Sequence, residues 1–173
     1  MKVACILAGG FEDSEFKQPY DELKAAGHEL TIVGLQAGQE LKGDKGRETA
    51  TVERSFADVT PAQFDALLVP GGFSPDRLRA HAVAVAFVRA FFDAKKPIMA
   101  ICHGPQIFIA AGTYKDHRMT AWKTIQADLT LLGAKVVDEE VVVDRNLVTS
   151  RQPADLPAFV RESLKLLGKV SAA

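Results

Sequence analysis

The sequence predicts a doubly wound α/β domain: a mostly parallel sheet with helices on both faces. Two observations carry this. Short runs rich in Val, Ile and Leu alternate along the chain with longer stretches of helical period. The runs are continuously apolar, as strands buried on both sides are. At 173 residues, 47% hydrophobic and 25% charged, the chain has material for one substantial core, and we expect residues 1–173 to form one domain with no repeat, linker or low-complexity segment.

The elements follow in order. Strands are expected at Val3 to Ala8, Leu30 to Leu35, Ala66 to Val69 and Pro97 to Ile101. A helix from about Ser14 to Ala26 is closed by Gly27, and one long helix from about Pro75 to Ala94 takes its apolar face from AVAVAFVRAFF. A third helix starts at Gly104. The polar, Gly-rich stretch Gln36 to Val59 reads as a surface excursion with a short strand near Thr49 to Val52. After Gly112 come a strand near Met119 to Trp122 and a helix near Ile125 to Leu132. AKVVDEEVVVDRNLVTS then reads as a hairpin turning at Asp144-Arg145-Asn146. The last helix, about Ala154 to Leu167, sets Leu156, Phe159, Val160, Leu164 and Leu167 on one side.

Composition excludes several classes of function. A net charge of -1 with no Lys/Arg cluster gives no electrostatic footprint for nucleic acid or an anionic membrane, so a small or neutral substrate is expected. MKVACILAGG is too short in its apolar run and too soon followed by acids to be a signal peptide, and no window approaches the ~18 apolar residues of a membrane span. Two cysteines make no disulfide scaffold, and the scattered histidines show no zinc spacing, so neither metal nor cofactor is expected and the location expected is cytoplasmic.

AICHGPQ, Ala100 to Gln106, holds the chemistry. An apolar strand gives way at Cys102 to a helix start with Pro105 in its first turn, and so tight a turn strains its central residue and lifts the side chain over the carboxyl edge of the sheet. The amide end of the following helix would favour thiolate, giving a lowered thiol pKa. Cys5, in mid-strand, reads as packing alone. LLVPGG, Leu67 to Gly72, ends a neighbouring strand in glycines whose backbone can approach a ligand, so the amides of Gly72 and His103 are the candidate oxyanion hole. In LAGGFEDSEF the spacing is not that of a dinucleotide loop, and acids occupy the place of a phosphate. Glu12 and Asp13 read as dipole partners or caps exposed to water; Glu15, one turn further in, leans toward Cys102 with a raised pKa and donates a hydrogen bond to the sulfur.

FED-x-E after the first strand, the PGG turn, AICHGPQ and TSRQPADLPAF together resemble the ThiJ/PfpI superfamily, of the class I glutamine amidotransferase-like fold, and within it the PfpI-like intracellular protease and general stress protein branch, over nearly the whole chain. The resemblance implies a flavodoxin-like three-layer sandwich assembled as dimers, trimers or hexamers. It implies an elbow nucleophile at Cys102 with Glu15 hydrogen-bonded to it. His103 is then joined by an acid of a neighbouring subunit at the position of Asp76, where some relatives carry Glu. The activities implied are peptidase, amidase, glyoxalase without glutathione and deglycase on methylglyoxal or glyoxal adducts, together with protection against stress.

Chemistry narrows that list. Adjacent residues at a sharp turn do not naturally face each other, which weighs against a Cys102–His103 peptidase; addition of a thiolate to an α-oxoaldehyde asks only for amide donors and a nearby acid/base. A glutamine amidotransferase is excluded because no histidine follows His117. A stress-linked redox sensor or chaperone using the same thiol is the reading from another class. Smaller expectations are Trp122 as a pocket wall and Arg151 as either a pocket wall or the partner of Asp155. His28, after Gly27, reads as a surface residue at a helix end, His81 and His117, in polar surroundings, are given no catalytic role, and Tyr20 and Pro19 are read as packing and a kink.

Overall fold

The computed structural model describes residues 1–170. In chain order its elements are β1 (Lys2–Ile6), α1 (Asp13–Ala25), β2 (Glu29–Gly34), β3 (Glu40–Lys42), β4 (Thr49–Thr51), β5 (Arg54–Ser55), β6 (Ala66–Val69), α2 (Ser74–Leu78) and α3 (Ala82–Asp93). There follow β7 (Ile98–Ile101), α4 (Gln106–Ala111), β8 (Arg118–Met119), α5 (Lys123–Leu131), β9 (Lys135–Val136), β10 (Val141–Asp144), β11 (Leu147–Ser150) and α6 (Leu156–Val170). The last three residues of the expected domain, 171–173, lie outside the described residues.

The main sheet runs β10-β11-β7-β6-β1-β2-β5, parallel throughout except at the β10–β11 hairpin. From β1 the chain moves first to β2 and later, in the other direction, to β6 and β7. That reversal between β1 and β6 is where such sheets open a crevice at their carboxyl edge.

Strand residues alternate between two cores. Ala4 and Ile6 of β1, Leu67 and Val69 of β6, and Ile98 and Ala100 of β7 join the aromatic cluster of Phe56, Phe64, Phe87, Phe91 and Phe108 under α3 and α4. Val3, Cys5, Leu68, Met99 and Ile101 face the other way, onto Phe11, Phe16, Leu23, Phe159 and Leu167 of the α1 and α6 layer. Both faces are thus covered, as continuous apolar strands require, and each fully buried Leu, Ile or Phe stabilises by about 1.5–3 kcal/mol.

Several expectations are corrected. The long helix at Pro75–Ala94 is two helices, with an extended break at His81 (φ -113°, ψ 117°). Leu78, Ala84, Phe87, Val88 and Phe91 all enter one core. At 100° per residue an unbroken helix would turn Leu78 about 130° away from the other four. The third helix begins at Gln106 instead of Gly104; Pro105 is its N-cap, and Gly104 makes a turn by donating to the Ile101 carbonyl at 2.8 Å. Near Met119–Trp122 only Arg118–Met119 is strand, paired outside the main sheet with Lys135–Val136, so the hairpin is confined to residues 141–150. Its turn holds Arg145 at φ 55°.

The stretch Gln36–Val59 is more than a surface excursion. β3 and β4 form a hairpin, β5 extends the sheet edge, and Leu41, Ala50, Val52 and Phe56 are buried. Helix α1 runs through Pro19, which has no amide for the Glu15 carbonyl four residues earlier, and it closes on Gly27 at φ 91°.

Candidate active site at the carboxyl edge of the sheet

Three strand ends converge on one cleft. The turn after β1 leads into α1 and supplies Glu15, the turn after β6 supplies Gly71 and Gly72, and the turn after β7 supplies Cys102 and His103. The cleft holds about 440 Å³; Glu15, Cys102, His103, Trp122, Phe73 and Lys45 are in its lining.

Cys102 has φ 61°, the strained elbow the sequence predicts. For a residue with a Cβ this left-handed geometry costs about 1–2 kcal/mol and persists only where the surroundings impose it. They do so here. The Cys102 amide donates to the Ser150 carbonyl at 2.9 Å and its carbonyl accepts from the Trp122 amide at 2.8 Å. Gly104 passes so close to β6 and β7 that a Cβ there would sit 2.7 Å from the Val69 carbonyl oxygen. The amides of Gly72 and His103 both stabilise the sulfur's anionic form, so the two predicted oxyanion donors do converge on Sγ. Gly72 reaches that position at φ 74°, with its φ held between the strands by the Glu12 amide bonding Gly71 O and the Phe73 amide bonding Gly10 O.

The predicted lowering of the thiol pKa is corrected. Burial, and next the charge of Glu15, push the Cys102 thiol up. The expectation relied on a helix dipole, but α4 is six residues long and starts four residues after the cysteine. Cys5, fully buried in β1, is pushed up by burial and is packing alone, as predicted.

Glu15 lies where predicted. It is fully buried, neither carboxyl oxygen has a good hydrogen-bond partner, and the neighbours it interacts with are the Cys102 thiol and the Gly71 amide. Burial, and next the charge of Glu12, raise its pKa to about 8. Two acids that each resist ionisation therefore sit side by side, and whichever loses its proton first makes the second loss harder. With Glu15 protonated, the charge opposing the thiolate is absent and the two amides act on the sulfur alone.

Cys102 Sγ and His103 Nδ1 are 3.3 Å apart, so the expectation that these neighbours do not face each other is wrong. The His103 ring stacks on Trp122, centroids 6.2 Å apart and planes at 25°, and burial lowers its pKa against the opposing charge of Asp76. Trp122 does wall the cleft. Asp76 does not bond His103: its half-exposed carboxylate pairs with Arg79 at 2.9 Å and accepts from Gln106 Nε2 at 3.4 Å. Arg151 is no pocket wall, being tied to Asp155 at 2.9 Å and Asp138 at 3.1 Å.

Glu12 is the N-cap of α1 and Asp13 its first residue, and neither is exposed to water as expected. Glu12 accepts the Glu15 amide at 2.9 Å and Lys45 Nζ at 2.7 Å; Asp13 accepts the amides of Lys45, Arg47 and Glu48 at 2.7–2.9 Å. Sequence reasoning misses Lys45 and Phe73 altogether. GDKG, a charged pair framed by glycines, is the signal by which Lys45 is legible as a tight presenting turn. His117 is not in polar surroundings as expected; it is buried, with Nε2 3.1 Å from Asn146 Oδ1 and its ring edge-on to Phe92.

Among the described residues no three His, Cys, Asp or Glu side chains group to hold a metal ion, and no helix is long and apolar enough to cross a membrane.

The sequence pattern of the DJ-1/PfpI family matches residues 1–166. The chain is 51% identical over 168 residues to Protein/nucleic acid deglycase 2 of Escherichia coli (strain K12), covering 96% of this chain and 98% of that one. It is 50% identical over 169 residues to General stress protein 18 of Bacillus subtilis (strain 168), covering 97% and 98%. Among solved structures, a two-domain protein of Anabaena variabilis containing DJ-1/ThiJ/PfpI-like and ferritin-like domains superposes with a TM-score of 0.93 at 36% identity, over 96% of this chain and 48% of that one.

Proposed function

We infer, because this chain belongs to the DJ-1/PfpI family, that it is a stress-protective cysteine enzyme acting on reactive carbonyls such as methylglyoxal and glyoxal or on their adducts. The observation that carries the reading is Cys102 held at φ 61° with the Gly72 and His103 amides turned to its sulfur and the protonatable Glu15 beside it. The names of the two relatives above, a deglycase and a general stress protein, support it.

In this reading His103 Nδ1, 3.3 Å away and kept neutral by burial, accepts the thiol proton as Sγ adds to the aldehyde carbon. The oxyanion formed lies between the amides of Gly72 and His103, and His103 returns the proton to it. Glu15 in its ionised form, the minor one at neutral pH because it titrates near 8, takes the hydrogen from that carbon as a proton and delivers it to the neighbouring carbonyl carbon, while the hydroxyl proton of the first carbon passes through His103 to the neighbouring carbonyl oxygen. The product is a hydroxyacyl thioester, which water hydrolyses to the hydroxy acid and free Cys102.

A peptidase or amidase is the second reading, favoured by the same 3.3 Å Cys102–His103 contact. It lacks a third group orienting the histidine, since Asp76 is bound to Arg79. We further propose a homo-oligomer, in which the half-exposed Asp76 faces a neighbouring subunit.

Turnover of methylglyoxal by the wild type, Cys102→Ser and Glu15→Gln, with D- and L-lactate separated and a fluorogenic peptide in parallel, tests this. Lactate from the wild type alone supports the carbonyl enzyme. Peptide cleavage without lactate transfers the assignment to the hydrolase. Neither activity, with Cys102 oxidised at low peroxide, leaves a redox sensor.

A further inference from the structure

We propose that Lys45 is a positioning residue for this site: carried to the cleft by a loop that Asp13 pins, it neutralises Glu12 and thereby decides how readily Glu15 and Cys102 give up a proton.

The geometry runs outward in an unbroken chain. Glu15 is bonded through its amide to Glu12 Oε2 at 2.9 Å, and Lys45 Nζ stands 2.7 Å from the other oxygen, Oε1, of the same carboxylate. Lys45 comes from the loop between β3 and β4, thirty-three residues away in sequence. That loop has no free choice of position. Asp13 Oδ1 accepts the amides of Arg47 and Glu48, Asp13 Oδ2 accepts that of Lys45, and a Cβ on Gly43 would fall 2.4 Å from Asp13 Oδ1. A buried acid that takes three amides is a costly device for an ordinary surface turn. What it delivers is one cation onto the carboxylate nearest Glu15.

The charges facing Glu15 are few, and their signs are opposed. Glu12, from its own helix start, holds it against ionisation, while the Cys102 thiol from the β7 turn, through its hydrogen bond, and Lys45 from the loop favour ionisation. Glu12 with Lys45 is close to a neutral pair; Glu12 alone is a bare negative charge beside a buried carboxyl. Lys45 never needs to touch the substrate to matter, and half of its side chain is exposed, so its removal disturbs little packing.

This rests on Cys102 ionisation as the working step, but its test does not require carbonyl turnover. The rate of Cys102 alkylation by iodoacetamide is followed against pH in the wild type, Lys45→Met, Lys45→Arg, Glu12→Gln and the Lys45→Met/Glu12→Gln double variant, with Cys102→Ser as the blank. Lys45→Met is expected to move the profile upward by roughly half a pH unit or more, Glu12→Gln downward, and the double variant back toward the wild type. Lys45→Arg keeps the wild-type profile. Superimposable profiles for Lys45→Met and wild type, or shifts of the same sign for Lys45→Met and Glu12→Gln, overturn the proposal, because loss of loop packing would act alike in both. If no lactate is formed by the wild type while these shifts appear, the carbonyl reading falls and the positioning role stands.

Discussion

Cys102 Sγ and His103 Nδ1 stand 3.3 Å apart although the two residues are successive. In extended chain, successive side chains leave on opposite sides. The φ of 61° at Cys102 breaks that alternation and folds thiol and ring over the same cleft, where Trp122 stacks behind the imidazole. The strained turn therefore does two things: it lifts the thiol off the sheet and sets an imidazole nitrogen beside it.

The strain is measurable as a difference between two truncations. Cys102→Ala keeps the left-handed penalty, whereas Cys102→Gly removes it, and both lose the sulfur. We expect the Gly variant to be more stable than the Ala variant by about 1 kcal/mol, the reverse of the order in a helix or strand. Urea midpoints of the two proteins decide the matter; an Ala variant as stable as the Gly variant would show that no strain is stored there.

Glu15 should leave its mark on stability as a function of pH. In the unfolded chain the carboxyl ionises near its ordinary 4.5; in the fold it keeps its proton to about 8. Its contribution is thus fully present below about 4.5, declines as pH rises toward 8, and is level above that. Glu15→Gln has no proton to lose. The stability of the wild type relative to Glu15→Gln is expected to fall by a few kcal/mol between pH 4 and pH 9, on the order of 1.4 kcal/mol for every tenfold difference in proton affinity between fold and unfolded chain. Taking the difference cancels the distant Asp138, Asp144 and Glu162, whose lowered pKa values make stability fall toward acid instead. A flat difference across that range would mean that Glu15 is not held protonated.

What is legible in the sequence is what local pattern determines. Ala66–Val69 is legible to the residue because a continuous apolar run between polar flanks has one interpretation in a two-faced sheet. The elbow is legible because a strand meeting Gly104-Pro105 leaves Cys102 nowhere else to go. The break at His81 is not: both sides have helical period, and only the position of the shared core shows that Leu78 needs a different rotation from Phe87 and Phe91. The Asp13–loop and Lys45–Glu12 contacts join residues more than thirty apart, beyond any periodicity. The direction in which the Cys102 thiol moves is hidden as well, because the amides near it follow from local sequence while its burial and the charge of Glu15 come from elsewhere in the fold.

Gly71 offers the most direct test that the Glu15–Cys102 spacing sets function. Its backbone is of ordinary hand, so alanine is conformationally allowed, unlike at Gly72, where φ is 74°. Space is the obstacle. A Cβ at Gly71 would lie 2.3 Å from Glu15 Oε2, 2.8 Å from Cys102 Cβ and 3.0 Å from the Ile101 carbonyl oxygen, and contacts under 3.0 Å are not tolerated. The carboxyl is the far end of a flexible side chain and can swing aside, whereas the cysteine Cβ belongs to a turn anchored to β11 through Ser150. Gly71→Ala is therefore expected to fold with a stability loss of about 1–3 kcal/mol, the range for overpacking, and to displace Glu15 from Cys102. Loss of that neighbouring charge lowers the thiol's pKa, so alkylation of Cys102 should move to lower pH while lactate formation falls at least tenfold. Faster alkylation with slower turnover separates a displaced proton carrier from a merely damaged site, which would lose both; a variant with wild-type turnover would show that the contact between the two acids is dispensable.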